Sequence, residues 1–265
     1  MDYGIRGKSA LVVGGSRGIG FEVARMLAAE GCRVSVLART KEAVENAAQA
    51  IRREHGTAVG VCADVSEPDA LGDAIDQIGD QLGPPQIVIG QAIYQRPGDF
   101  ADIEDLNVYR ESFEAYTMSQ IFLLRAVLPA MQNAGWGRFV HIGSGTAKEP
   151  AGHIHHVVAN ATRPSTIGLL KTVSDEYARY GITVNTVAPG WIETDNAVAY
   201  LEKNLAVTDE TQRRNFMLTQ ARVPAARMGK PREIASLITY LCSEMAGYIT
   251  GAWIEVDGGL HRSAF

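Results

Sequence analysis

The sequence predicts an α/β fold: a doubly wound, seven-stranded parallel sheet with helices on both faces. Short, almost continuously apolar runs recur at 9–13, 33–38, 58–63, 86–90, 138–142, 183–187 and 252–256, as strands buried on both faces of a parallel sheet require. Amphipathic stretches separate them along the whole chain, the alternation that lays helices over such a sheet. The first run leads straight into Gly14-Gly15-Ser16-Arg17-Gly18-Ile19-Gly20 and then a helical pattern, the opening of a βαβ unit built to seat a phosphate on a helix N-terminus.

Taken in order, the first helix reads as 21–30, closed by Gly31, and the second as 41–54, with apolar positions at three- and four-residue steps. Further helices are expected over 67–81, from about 104 to 133, from about 164 to 180 and over 232–245. Between Pro189 and Pro231 the rhythm breaks. Residues 191–227 form a charged, helical excursion, and a connection that long in a compact fold is usually a lid or substrate loop. Its Trp191, Tyr200, Asn204, Arg213, Arg214, Phe216 and Met217 fit either a large, partly anionic ligand or a solvated helix. With no repeat or linker-like tract, residues 1–265 are expected to form a single domain.

Composition narrows the partners. Hydrophobic residues make up 46% of the chain, enough for a large core without disulfides or metal. The formal net charge is −5 and the basic residues form no runs, which argues against nucleic acid or an acidic membrane surface. A small-molecule substrate is the expected partner. Cys32, Cys62 and Cys242 each lie in an apolar stretch and read as buried thiols of a reducing compartment. With no signal-peptide pattern and no run of about 18 apolar residues, the cytoplasm is the expected address.

The glycine turn in this setting is that of a Rossmann-type dinucleotide site. Gly14, Ser16, Gly18, Ile19 and Gly20 bring the backbone close to a pyrophosphate at the helix N-terminus. An acidic residue at the end of the second strand would favour NAD, but Ala38-Arg39-Thr40 stands there. Arg17 and Arg39 suit a 2′-phosphate, which arginine grips with a planar fork of donors, so NADP(H) is the expected cofactor. Simple solvation of Arg39 is the competing reading.

At this point the residues resemble the short-chain dehydrogenase/reductase family, and its 3-oxoacyl-(acyl-carrier-protein) reductase-like members, over essentially the whole chain. Cys62-Ala63-Asp64-Val65, the stretch Gly181-Ile-Thr-Val-Asn-Thr-Val-Ala-Pro-Gly190 with Thr194, Tyr248-Ile-Thr-Gly251 and Val256-Asp-Gly-Gly259 carry the likeness. The resemblance implies that Asp64 and Val65 border the adenine and that Pro189, Gly190, Ile192 and Thr194 cradle the nicotinamide. Gln91 stands in the family's Asn-Asn-Ala-Gly segment, here Gly90-Gln91-Ala92-Ile93. Family members commonly assemble as homotetramers, so a tetramer or dimer is expected. The apolar run from Ile121 to Leu128 fits such an interface or plain core packing.

The same resemblance exposes gaps. The family's tyrosine and lysine positions fall on Ala159 and Arg163, its asparagine on Tyr116, and its serine is kept as Ser144. Lys148-Glu-Pro150 with Asn160-Ala-Thr-Arg163 resembles a divergent branch with Asn-x-x-Arg at this place. Ala159 has no proton to give, and a guanidinium does not titrate in proteins. Arg163 can hold a ribose or a developing oxyanion instead. Pro164 disfavours helical geometry at Arg163, so the helix is expected to start near it, without the stacked i, i+4 arrangement that tyrosine and lysine use. Replacement proton donors are Tyr116, then His155 and His156, then Tyr94; the alternatives are space-filling for Tyr116, loop lining for the histidines and substrate contact or packing for Tyr94. His153-x-His155-His156 has no further ligand cluster near it in sequence, so no metal is expected. Three functions stay open: an NADP(H)-dependent reductase of carbonyls or activated double bonds, a non-catalytic NADP(H)-binding protein, and a non-redox lyase or cyclase.

Overall fold

Parallel strands that are apolar on both sides need a helix layer on each, and strict alternation of the two elements supplies both. The computed structural model describes residues 2–91, 96–150 and 155–262. In order it contains β1 (Ser9–Val13), α1 (Gly18–Ala29), β2 (Arg33–Ala38), α2 (Lys41–Arg53), β3 (Thr57–Cys62), α3 (Pro68–Leu82), β4 (Ile87–Gln91), α4 (Asn107–Phe113), a π-helical turn (Glu114–Met118) and α5 (Ser119–Ala134). There follow β5 (Gly137–Ile142), α6 (Val157–Tyr177), β6 (Ile182–Pro189), α7 (Asp195–Leu205), α8 (Glu210–Thr219), α9 (Pro231–Leu241) and β7 (Trp253–Val256).

The strands form one parallel sheet in the order β3-β2-β1-β4-β5-β6-β7. One face packs on α1, α2 and α9 through residues such as Leu27, Ile51 and Ile238, all fully buried. The other packs on α3, α5 and α6 through Ile78, Leu123, Met131 and Leu170. The strand order reverses at β1, which pairs with both β2 and β4. A crevice opens at the carboxyl ends of strands at such a switch point. No helix among the described residues is long and apolar enough to cross a membrane.

All seven strands lie where the apolar runs place them, within one or two residues at their ends. Four details differ. Cys62 is exposed, not buried, because β3 is the edge strand and its last residue faces outward. The stretch expected as one helix from about 104 to 133 is broken by the π-helical turn Glu114–Met118, which rotates Tyr116 into the interior, where it is 1% exposed. Within the apolar run that follows, Leu123, Leu124, Val127 and Leu128 pack into the core.

The third difference is decisive for the site. Helix α6 begins at Val157, seven residues before Pro164, which lies inside it. The i, i+4 stacking of Ala159 and Arg163 expected to be absent is therefore present. A proline inside a helix removes one backbone bond at a cost of roughly 3 kcal/mol. Here side chains hold the interrupted turn: Thr162 Oγ1 donates to Val158 O at 3.0 Å and Ser165 Oγ to Thr162 O at 2.5 Å. Tertiary bonds fix the same turn, with Thr162 Oγ1 3.2 Å from Ser112 Oγ, and Thr117 Oγ1 2.7 Å from Ser165 Oγ and 3.1 Å from Thr166 Oγ1.

Fourth, the excursion after β6 is more than a solvated helix, although Asn204 and Arg214 are exposed. Leu201, Phe216, Met217, Val223 and Met228 form a small core of their own, with Trp191 and Leu260 packed against it. Helices α7 and α8 are each N-capped by a side chain, Thr194 accepting from Ala197 N and Asp209 from Gln212 N.

Candidate functional site

The first half of the site grows from the turn after β1. Gly14 and Gly18 take left-handed φ values of +65° and +59°, which cost a side chain dearly. A Cβ on Gly20 would stand 2.5 Å from Gly14 O, so only glycine lets α1 pack this closely on the turn. Helix α1 starts behind an extended Arg17 with no side-chain cap and no acidic residue in its first turn. Its leading N–H groups and the positive end of its dipole are thus left for an anion.

A cavity of about 470 Å³ lies over this turn. Gly14, Ser16, Arg17, Gly18, Ile19, Arg39, Thr40, Asp64, Val65, Gln91 and Thr194 all line it. The sequence reading missed its apolar walls, Leu37, Ala38, Ala43 and Ala63, and the polar pair Asp195 and Asn196 at the start of α7. The walls look like ordinary core positions in sequence, whereas the start of α7 carries a readable signal, an N-capping threonine before two polar residues. Gly20 is buried under the turn. Pro189, Gly190 and Ile192 lie at and beyond the end of β6 and do not border this cavity: a Cβ on Gly190 would meet Asp257 Cα at 2.8 Å, and Ile192 is packed in the core.

Asp64 is set by Ser66, whose backbone N–H and hydroxyl donate to Oδ1 at 3.0 and 2.7 Å. Burial works against its charge, yet these bonds and Arg39, 4.0 Å from Oδ2, hold its carboxyl below the usual carboxylate range. The Gln91 amide nitrogen, directed at the end of β1, donates to Val13 O at 3.1 Å and Gly14 O at 3.3 Å. An uncapped helix N-terminus, glycines that a Cβ would obstruct and two arginines at the rim fit a phosphorylated dinucleotide.

The second half lies beside it, because Gln91 pairs with Ile142 across β4 and β5 and Ser144 follows two residues on. The Arg163 guanidinium comes down from α6 and donates through Nη1 to Ser144 Oγ at 3.2 Å and to Thr146 Oγ1. The two hydroxyls are 3.2 Å apart. Tyr116 sits with its ring centroid 5.9 Å from the Arg163 guanidinium carbon and edge-on to His141. Burial pushes the Tyr116 hydroxyl above the ordinary tyrosine value, and the charge and close approach of the Arg163 guanidinium oppose that rise.

His156, Asn160 and Arg163 form one stripe of α6 at i, i+4 and i+7. Among the described residues, Arg163 Nε, Asn160 Oδ1, His156 Nδ1 and the Tyr116 hydroxyl are buried without a well-formed hydrogen bond, the last with the Arg163 guanidinium beside it. Buried polar atoms are nearly always paired; single unpaired atoms also occur elsewhere, as at Trp136, Thr183 and Ser243, but four gathered around one helix face fit a ligand. Burial, then the charges of Arg163 and His155, pull His156 down to about 4, so this ring is neutral at pH 7. Its ring packs at a tilt on Tyr200, with centroids 5.3 Å apart, and Tyr200 adjoins Trp191. His155 stands apart: it is exposed, in a left-handed conformation with φ of 49°, and its Nδ1 lies 2.7 Å from Asp99 Oδ1. Ala159 is 2% exposed and carries no polar group. Tyr94 and His153 lie outside the described residues.

Comparison with known proteins agrees with this geometry. Residues 13–261 match the family described as enoyl-(acyl carrier protein) reductase. The chain is 36% identical over 260 residues to the 3-oxoacyl-(acyl-carrier-protein) reductase of Vibrio cholerae, covering 97% of this chain and 98% of that one. Among solved structures, the L-sorbose reductase of Gluconobacter frateurii, complexed with NADPH and L-sorbose, matches with a TM-score of 0.90 and 26% identity over 99% of this chain and 100% of the other. An NADPH-dependent reductase involved in bacilysin biosynthesis matches at 0.89, also 26% identical, over 97% and 99% of the two chains. Fold, glycine turn and full-length similarity together make this chain a member of the short-chain dehydrogenase/reductase family.

Proposed function

We propose that the chain is an NADPH-dependent reductase that directs hydride to a carbonyl or an activated double bond of a small organic substrate, through a reaction centre unlike the family's usual tyrosine and lysine. The observation that carries this is Arg163: it donates to Ser144 and Thr146 while its guanidinium also faces the buried Tyr116 hydroxyl. Preorganised donors in a cleft stabilise negative charge as it develops.

NADPH, when bound, supplies the hydride. The chain's own residues do the rest. The Gly14–Gly20 turn and the open end of α1 take the pyrophosphate, Arg17 and Arg39 with Thr40 take the 2′-phosphate and ribose, and Asp64 and Val65 border the adenine. Gln91 and Thr194, which line the cavity, serve the nicotinamide side, with Pro189, Gly190 and Ile192 shaping it from the end of β6. Ser144 and Arg163 hold the substrate oxygen. Tyr116, kept protonated by burial, donates the proton that Ala159 cannot, and His155 on its exposed loop is the second source. Positioning and oxyanion donors survive the loss of the usual tyrosine, whose general-acid contribution is about 10²–10⁴-fold. The proposal extends to a single functional domain over 1–265 with 191–227 as its lid, a dimeric or tetrameric assembly, and a cytoplasmic address.

The test is stereospecific transfer of deuterium from 4-deuterated NADPH to a panel of ketones, imines and enones. Transfer to one face supports the assignment. Tight NADPH binding with no transfer to any substrate would leave a cofactor-binding protein instead, and product formed without oxidation of the cofactor would indicate a lyase or cyclase.

A further inference from the structure

The segment after β7 runs between two parts of the molecule that are distant in sequence. On one side it is tied to the excursion after β6: Ala225 N donates to Gly258 O at 3.1 Å, Arg262 Nη2 donates to Arg222 O at 3.1 Å, and Leu260 packs on the cluster around Phe216 and Val223. On the other side His261 enters the turn after β5. Its Nε2 lies 3.0 Å from the carbonyl oxygen of Gly145, the residue next to Ser144. The approach is so close that a Cβ on Gly145 would meet the His261 ring at 2.2 Å.

His261 Nδ1 lies 2.6 Å from Asp257 Oδ2, which also accepts the His261 backbone N–H at 2.9 Å, while Asp257 Oδ1 accepts from Gly259 N at 2.9 Å. The two side chains are only 5% and 8% exposed. Both ring nitrogens thus face oxygens that carry no hydrogen. The Gly145 oxygen also accepts Lys148 N and Glu149 N, both at 3.1 Å, but a neutral imidazole has one N–H and sets its other nitrogen's lone pair against an oxygen; only the imidazolium donates to both. The surrounding charges favour the cation: Asp257 on its own segment, Glu255 on β7, and Glu149 on the turn after β5 at 3.8 Å. Lys148 on that same turn is paired with Glu255 at 3.7 Å, and the neighbouring Arg262 guanidinium is turned to the Arg222 carbonyl. Burial opposes the charge, but the Asp257 and Gly145 contacts with the nearby carboxylates raise His261 above its ordinary 6.5. Although Glu255, Asp257 and His261 present atoms within 4.8 Å of one another, the His261 nitrogens and both Asp257 oxygens are already committed, so the group closes on a proton rather than on a cation.

We propose that His261 is a positioning residue: as an imidazolium it latches the segment anchored on the excursion to the Gly145 carbonyl, holding Ser144 under Arg163, and it releases that turn when it loses its proton. Its mechanistic part rests on the Ser144–Arg163 reading above. The latch is closed below pH 6.5 and opens as pH rises through the raised value of the folded state.

The test needs no substrate. Histidine-labelled full-length protein is titrated by NMR, with the His261 signal assigned by its loss in His261→Gln. In parallel, hydrogen exchange of residues 144–149 is followed from pH 6 to 9, corrected for intrinsic chemistry. The latch requires His261 to titrate above 6.5 and exchange in that turn to rise by roughly tenfold through the same midpoint. In His261→Gln the turn should exchange fast at every pH. A His261 that titrates at or below 6.5, or identical exchange profiles in the two proteins, would overturn the proposal. Should the variant not fold, the remaining single-histidine variants assign the signal and the wild-type titration decides. Failure of the reductase reading shows separately, as absent deuterium transfer with the ring titration unchanged.

Discussion

Arg163 Nη1 reaches Ser144 Oγ at 3.2 Å across the gap between the second turn of α6 and the turn that follows β5. The contact exists because α6 runs through Pro164 instead of starting there, so the N-cap His156 and, in the first two turns, Asn160 and Arg163 share one face. Arg163→Ala removes the donor to two hydroxyls and the orphan Nε together. Loss of a preorganised oxyanion donor costs about 10²–10³ in kcat, and that is the fall expected for Arg163→Ala and, at the lower end, for Ser144→Ala. Arg163→Lys should recover only part of it, since an ammonium lacks the planar fork. Full turnover in both alanine variants would move the reaction centre elsewhere.

Tyr116→Phe separates chemistry from packing. The ring fills the same space, and among the described residues the hydroxyl it loses has only the Arg163 guanidinium beside it, without a well-formed hydrogen bond, so stability should change by no more than about 1 kcal/mol. If Tyr116 is the proton donor, turnover falls by roughly 10²–10⁴ while the Kd for NADPH stays put. Unchanged turnover with unchanged stability assigns the ring to space-filling. Thermal unfolding and steady-state kinetics on the one variant are enough to decide.

Arg39 lies at the cavity rim, mostly exposed, with Asp64 4.0 Å away as its ion-pair partner. A charge-assisted bond to phosphate contributes about 1.5–3 kcal/mol. Arg39→Ala should therefore weaken NADPH about 10–100-fold and leave NADH nearly unaffected, narrowing the preference between them; calorimetry on the four dinucleotides reads this directly. Adding Arg17→Ala should deepen the loss. Equal weakening of both cofactors would mean that Arg39 shapes the pocket without reading the 2′-phosphate.

His141 and His156 make the fold acid-sensitive. Burial alone pulls His141 down to about 3, and burial aided by the charges of Arg163 and His155 pulls His156 down to about 4. Both rings stay neutral in the native state while the unfolded chain takes up protons below about 6.5, so stability falls as pH drops from 6.5 towards 4. Each ring contributes at most about 1.4 kcal/mol per pH unit in that window. Urea unfolding of His156→Gln at pH 7 and pH 5 should show a slope smaller by nearly one proton; a slope equal to that of the parent protein would mean His156 is solvated. The raised His261 acts with the opposite sign and on the alkaline side.

Much of this was legible in the residues themselves. Apolar runs bounded by turn chemistry place all seven strands, because a strand buried on both faces has little choice of composition. The glycine turn predicts the phosphate seat, since backbone approach needs glycine wherever the fold puts it. Local rules stopped being sufficient at α6, where proline chemistry pointed to a helix start and Thr162, Ser165, Ser112 and Thr117 overrode it with bonds from two other elements. The inward turn of Tyr116 was likewise invisible, because a π-helical turn has no sequence period of its own. The site's remaining parts, the apolar cavity walls, the four orphan polar atoms and the bridge from Gly145 through His261 to Asp257, join residues up to 116 positions apart. Periodicity and spacing report what each segment can form; only the packed sheet, with its strand order reversing at β1, decides which segments share a crevice.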